Sequence, residues 1–150
     1  MTTHFLDSSA ISKGYVVEVG SAWIMSLIVP AAGHIIVISQ LAIVEVNSVL
    51  ARKQRFALIS AADAAQNRAD YLLDVKNEYV TIALDDVVLQ RASDLVRKYP
   101  LRTLDAIQLA CAVEATVVLH EPHVFDCADN NLLAAAIAEG FATDNPLLHP

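Results

Sequence analysis

An α/β fold built on a central parallel sheet of about four to five strands, with helices on both faces, is the fold class the sequence predicts. Short β-branched runs alternate with helical patterns of ten to twenty residues along the whole chain, the pattern of repeated strand-helix-strand units. Several strand-like runs are uniformly apolar, as strands covered on both faces must be. At 150 residues and 55% hydrophobic content, one domain with a substantial core is expected.

His4 to Asp7 reads as a first strand that stops at an acid, with Ser8 and Ser9 supplying N-cap types for a following helix. Glu18 to Val29 reads as helix, closed by Pro30 and Gly33. Ile35 to Ile38 is a β-branched run with the character of a buried strand. Ser39 or Gln40 then opens a long helix to about Ile59, and Ala61 to Lys76 is predicted as another. Tyr79 to Ala83 is the third strand. Asp85 or Asp86 opens a helix that ends near Tyr99-Pro100, and Thr103 is predicted to cap a helix over Leu104 to Ala115. Thr116 to Leu119 is strand-like by composition, but His120-Glu121-Pro122 follows at once. His123 to Phe125 is the better fourth strand. An alanine-rich helix over Asn130 to Glu139, closed by Gly140, and a short last strand over Phe141 to Thr143 complete the chain.

The longest apolar stretch, Ala22 to Ile38, is broken by Pro30, Gly33 and His34, so no membrane span is predicted. The N-terminus lacks the basic and apolar regions of a signal peptide, and two cysteines, Cys111 and Cys127, suit a reducing compartment. A cytoplasmic location is expected. The net charge of −7 argues against a protein that grips nucleic acid through a broad basic surface. Local basic clusters remain at Arg52, Lys53 and Arg55 and at Arg97, Lys98 and Arg102.

Four acids, Asp7, Glu45, Asp105 and Asp129, each adjoin an apolar run. Carboxylates beside buried strands are costly to desolvate, so a shared cationic partner is the economical explanation. Two carboxylates 4 Å apart repel by about 4 kcal/mol at an effective dielectric near 20. A hard divalent ion, Mg²⁺ or Mn²⁺, suits an all-oxygen set and retains several waters. In a parallel sheet, ligands gather beyond the carboxyl ends of the strands, where Asp7 and Asp129 fall. Each acid also has a local explanation: Asp7 and Asp129 as caps, Asp105 as a first-turn acid favoured by the helix dipole, and Glu45 as an exposed helix-edge residue.

The segments His4 to Ala10, Gln40 to Glu45, Leu101 to Ala110 and Phe125 to Leu133 together resemble the four acidic motifs of PIN-domain ribonucleases, in order and in spacing. The stretch Arg102-x-x-Asp105-Ala106-Ile107-x-Leu109-Ala110 is the most specific piece. The resemblance covers nearly all of the chain and is strongest to VapC-type toxins of toxin–antitoxin pairs. It implies a single PIN domain over residues 1–150 and a metal-dependent endoribonuclease that leaves a 5′-phosphate and a 3′-hydroxyl. It also implies Asp7 and Asp105 as principal Mg²⁺ or Mn²⁺ ligands, with Glu45 and Asp129 completing the site directly or through water. Glu45 or Asp129 would act as the proton acceptor and Ser9 as an orienting hydroxyl. Cys127 stands where the family has a small hydroxyl residue.

The implied partners are an RNA substrate, a cognate antitoxin offering an Arg or Lys to the acidic pocket, and a second copy in a homodimer. Trp23, Ile24, Leu27 and Ile28 are candidates for the apolar contact surface. A phospho-accepting receiver domain would need an acidic pair after the first strand and a late Lys, and none follows Lys98. A dehalogenase-type phosphatase would need an Asp at position 9, which is Ser9. A PIN-like scaffold that binds RNA or protein without cleaving is the alternative, opposed by the intact acids.

Overall fold

A computed structural model describes all 150 residues. Strand β1 (Thr3–Leu6) leads through Asp7 into the short helix α1 (Ser8–Ile11) and a 3-10 turn, then helix α2 (Ser21–Ile28) and strand β2 (Ile35–Ser39). Helices α3 (Gln40–Arg55) and α4 (Ala61–Asn77) precede strand β3 (Tyr79–Ile82). Helices α5 (Asp86–Lys98) and α6 (Thr103–Leu119) then precede strand β4 (Val124–Asp126), and helix α7 (Asn130–Ala138) leads to strand β5 (Ala142–Asp144). No helix is long and apolar enough to cross a membrane.

All five strands are parallel, in the order β3-β2-β1-β4-β5. The chain builds outward from β1 on one side, then returns to β1 with β4. The strand order therefore reverses between β1 and β4, and the crevice beyond their carboxyl ends is the natural ligand position. Phe5 pairs in register with Val37 and Phe125, and the Phe5 and Phe125 rings stack at 5.6 Å.

The two-residue period of the strands sends alternate side chains to two cores. Phe5, Val37 and Phe125 pack with α5, α6 and α7, whereas Leu6, Ile36 and Ile38 pack with α1 through α4. Both faces being apolar explains why the strands read as continuous apolar runs rather than alternating ones.

Several helix starts follow strand ends, and α4 follows α3 directly. Ser39 Oγ accepts from Ala42 N, Ser60 from Asp63 N, Asp85 from Val88 N and Asp129 from Leu132 N, each a side-chain cap on the first free amides. Four expectations are corrected. Thr103 is not a cap but the first residue of α6, and Arg102 holds the cap position without a side-chain bond. α6 continues through Thr116–Leu119, because Thr116 Oγ1 bonds back to Val113 O and satisfies its hydroxyl within the helix. His120, in the left-handed region at φ 54°, then ends it. α2 begins at Ser21 rather than Glu18, because Gly20 turns the chain at φ 88°, where a Cβ would meet Pro146 O at 2.5 Å. α3 stops at Arg55, four residues short of Ile59.

Candidate functional site

Asp7, at the end of β1, is itself the N-cap of α1, the role expected of Ser8 and Ser9. Its Oδ1 accepts from Ala10 N (3.0 Å) and Ser9 Oγ (2.6 Å), and its Oδ2 from the Cys127 thiol (3.2 Å). The carboxyl is buried, and that burial raises its pKa from 3.8 to about 6, with the hydrogen bonds opposing and Glu45 adding to the rise. A desolvated carboxyl at this position is stabilised as an anion by an added cation.

Glu45 lies on α3, half-buried. Its Oε1 accepts from Ser8 Oγ (2.7 Å) and Gln108 Nε2 (2.9 Å). Asp105, the third residue of α6, accepts from Arg102 Nε at Oδ2 (3.2 Å). Asp129 caps α7 through Oδ1, while its Oδ2 stands 3.7 Å from Arg102 Nη2. All four acids line one groove of about 1010 Å³, together with Ser9, Arg52, Lys53 and Arg102. The fold thus brings together every predicted acid, from residues 7, 45, 105 and 129 of the sequence.

No group of three His, Cys, Asp or Glu side chains is disposed to hold an ion by protein ligands alone. The donors are nevertheless the right kind for Mg²⁺ or Mn²⁺, which take a few carboxylate oxygens and keep their waters. Cys127 does not supply a soft ligand. Burial pushes its thiol well above the ordinary range, and it donates a proton to Asp7, as a hydroxyl at that position would.

Sequence reasoning missed three residues of this site. Gln108, buried within α6, contacts Ser39, Ser8 and Glu45. Ser39 is both the α3 cap and a donor to Gln108. Arg102 forms one basic cluster with Arg97 and Lys98 in sequence, but Lys98 turns away to Glu139 while Arg102 spans Asp105 and Asp129. The Arg-x-x-Asp spacing was the available signal, since residues three apart meet on a helix.

Several other titratable groups fall outside the groove. Asp126 pairs with His4 Nδ1 (2.7 Å) in the core, where burial raises it to about 6. His149 holds Asp144 (2.8 Å) and stacks on Trp23. Cys111 is buried, its thiol pushed up to about 12, as an inert core residue requires. Ile24, expected on a contact surface, is fully buried. The exposed apolar residues of that region are Val17, Val19, Met25 and Val29. A second groove of about 980 Å³ runs beside them between α2 and α4, lined by Met25, Ile28 and Leu73 with Asp63, Asp70 and Asp74 among them.

A family model described as the PIN domain matches residues 4–142. Among the curated proteins the chain has no match. Among solved structures it is similar to FitAcB from Neisseria gonorrhoeae at 15% identity and TM-score 0.57, over 95% of this chain and 96% of that one. It is similar to PAE2754 from Pyrobaculum aerophilum at 17% identity and TM-score 0.61, over 99% and 93%. It is also similar to VapBC-5 from Mycobacterium tuberculosis, described as a member of the VapBC family of toxin-antitoxin systems, at 15% identity and TM-score 0.55, over 97% and 98%. At these identities the likeness establishes the fold.

Proposed function

We propose, from the premise that this chain belongs to the PIN-domain family, that it is a metal-dependent endoribonuclease serving as the toxin of a toxin–antitoxin pair. The observation that carries the reading is the gathering of Asp7, Glu45, Asp105 and Asp129 on one groove at the point where the strand order reverses. The VapBC description of one structural neighbour supports the toxin–antitoxin setting.

In this reading Asp7 and Asp105 are the principal ligands of Mg²⁺ or Mn²⁺, and Glu45 and Asp129 contribute directly or through water. When bound, the ion supplies Lewis-acid polarisation of the phosphodiester and a more acidic water. Glu45, with Oε1 already engaged, offers Oε2 as the proton acceptor. Ser9 holds Asp7 in orientation. Arg102 and Arg52 border the acids and suit the flanking phosphates of RNA.

The cognate antitoxin would meet the chain in two places. Its apolar residues fit the groove between α2 and α4, and its Arg or Lys enters the acidic groove in competition with metal. A homodimer in a cytoplasmic setting completes the reading, in keeping with two unpaired buried cysteines. The specific observation favouring the non-cleaving scaffold is Arg102, an exposed cation of the chain itself already set against Asp105 and Asp129.

Incubation of RNA with the purified chain and Mg²⁺ or Mn²⁺ tests the proposal, with Asp7→Asn, Asp105→Asn and chelator as comparisons. Cleavage by the native chain alone, leaving 5′-phosphates, is expected. Equal cleavage in all samples would overturn the mechanism. Absence of cleavage throughout, with binding to a small protein encoded alongside, would favour the scaffold.

A further inference from the structure

We infer that Gln108 is a positioning residue of this groove, fixing Glu45 so that only its Oε2 faces the reacting groups; the inference rests on the nuclease reading above. Gln108 is 2% exposed on an apolar helix, where an unbonded amide would cost about 1–3 kcal/mol. Leucine or methionine would fill the same space without that cost. The amide is therefore explained by its bonds.

Those bonds have one direction. Ala42 N donates to Ser39 Oγ (3.2 Å), and the Ser39 hydroxyl proton goes to Gln108 Oε1 (3.0 Å). Gln108 Nε2 then spends its two protons on Ser8 Oγ (2.7 Å) and Glu45 Oε1 (2.9 Å). Ser8, having accepted from Gln108, donates to the same Glu45 oxygen (2.7 Å). Reversing the amide would set its carbonyl oxygen against the Glu45 carboxylate and leave the Ser39 proton without an acceptor.

The result is a Glu45 carboxylate with two donors on Oε1 and no protein hydrogen bond on Oε2. A carboxylate held by one oxygen has a defined free lone-pair direction. A freely rotating one presents either oxygen and loses that definition. Because Ser39 starts α3 and Ser8 starts α1, the same bonds join both helix starts to α6. Outer partners of this kind typically change activity or metal affinity by about 10- to 100-fold when removed.

The test uses the full chain with Gln108→Met, which keeps the volume, and Gln108→Glu, which keeps the Ser39 contact but presents an acceptor to Glu45. Circular dichroism establishes that each is folded, steady-state RNA cleavage separates kcat from KM, and isothermal titration measures Mn²⁺ affinity without RNA. In folded variants kcat falls about 10- to 100-fold with KM for RNA within about threefold, or Mn²⁺ binding weakens by a similar factor, with Gln108→Glu the worse of the two. Folded variants with native kcat and native Mn²⁺ affinity would overturn the inference, as would a loss confined to KM. Failure of the native chain to cleave RNA overturns the nuclease reading instead, and the Mn²⁺ titration alone then decides the role of Gln108, equal affinity in native and variant chains refuting it.

Discussion

Asp7 serves two demands that conflict. As a cap it satisfies the Ala10 amide, but as a buried carboxyl it is held near pKa 6, and a shift of that size from 3.8 corresponds to about 3 kcal/mol against the ionised form. The raised value fixes the sign of its pH dependence. Between about pH 4 and 6 the folded chain binds a proton that the unfolded chain has released, so stability of the metal-free protein falls as pH rises through that window. Asp7→Asn keeps the cap, since its carbonyl oxygen accepts from Ala10, and carries no charge. It is expected to raise Tm at pH 7.5 in chelator, by an amount that shrinks toward pH 4, while abolishing RNA cleavage; an unchanged or lowered Tm at pH 7.5 would refute it. The four acids were legible in the sequence because a carboxylate beside an apolar run is an anomaly. The bonds of Gln108 to Ser39, Ser8 and Glu45 were not, because these partners lie 63 to 100 residues from it, and a serine at a helix start is already explained as a cap.

At the scale of elements, the caps do more than start helices. Asp129 caps α7 through Leu132 N and presents its second oxygen to the groove. The two roles separate by substitution. Asp129→Asn preserves the Oδ1 cap and should leave stability within about 0.5 kcal/mol while lowering cleavage, whereas Asp129→Ala should lose about 1 kcal/mol in urea melts as well. Equal stability of the two variants would count against the cap. Strands were legible through β-branched composition, and the preference for His123 to Phe125 over Thr116 to Leu119 as the fourth strand agrees with the structure to within one residue, β4 running Val124–Asp126. Composition alone misreads Thr116 to Leu119, since a helix already running with Ala106, Leu109, Ala110 and Ala112 in the core continues through residues of β character. The α2 start was hidden for another reason: the demand on Gly20 comes from Pro146, far along the chain.

For the whole molecule, a net charge of −7 limits how the proposed RNA substrate would be held. Few cations border the acids, Arg52, Lys53 and Arg102 among them, so binding should rest on about three phosphates. A single-strand salt slope of about −2 is then expected for RNA binding by the Asp105→Asn variant, measured by fluorescence anisotropy. A slope steeper than about −4 would mean a basic surface elsewhere. The broad layout, a parallel sheet between two helical layers, was legible from alternation, whereas the order β3-β2-β1-β4-β5 was not, because strand composition carries no address. That order also has a bearing on synthesis. With β1 in the middle, the seat of Asp129 exists only after β4, more than a hundred residues further along, settles on the open side of β1. At about 5–20 residues per second, the ribosome supplies that last carboxylate on the order of ten seconds after Asp7. A growing chain carrying Asp7, Glu45 and Asp105 thus lacks the assembled groove, so any activity that needs all four acids would arrive as a step once α7 has formed rather than as a gradual rise.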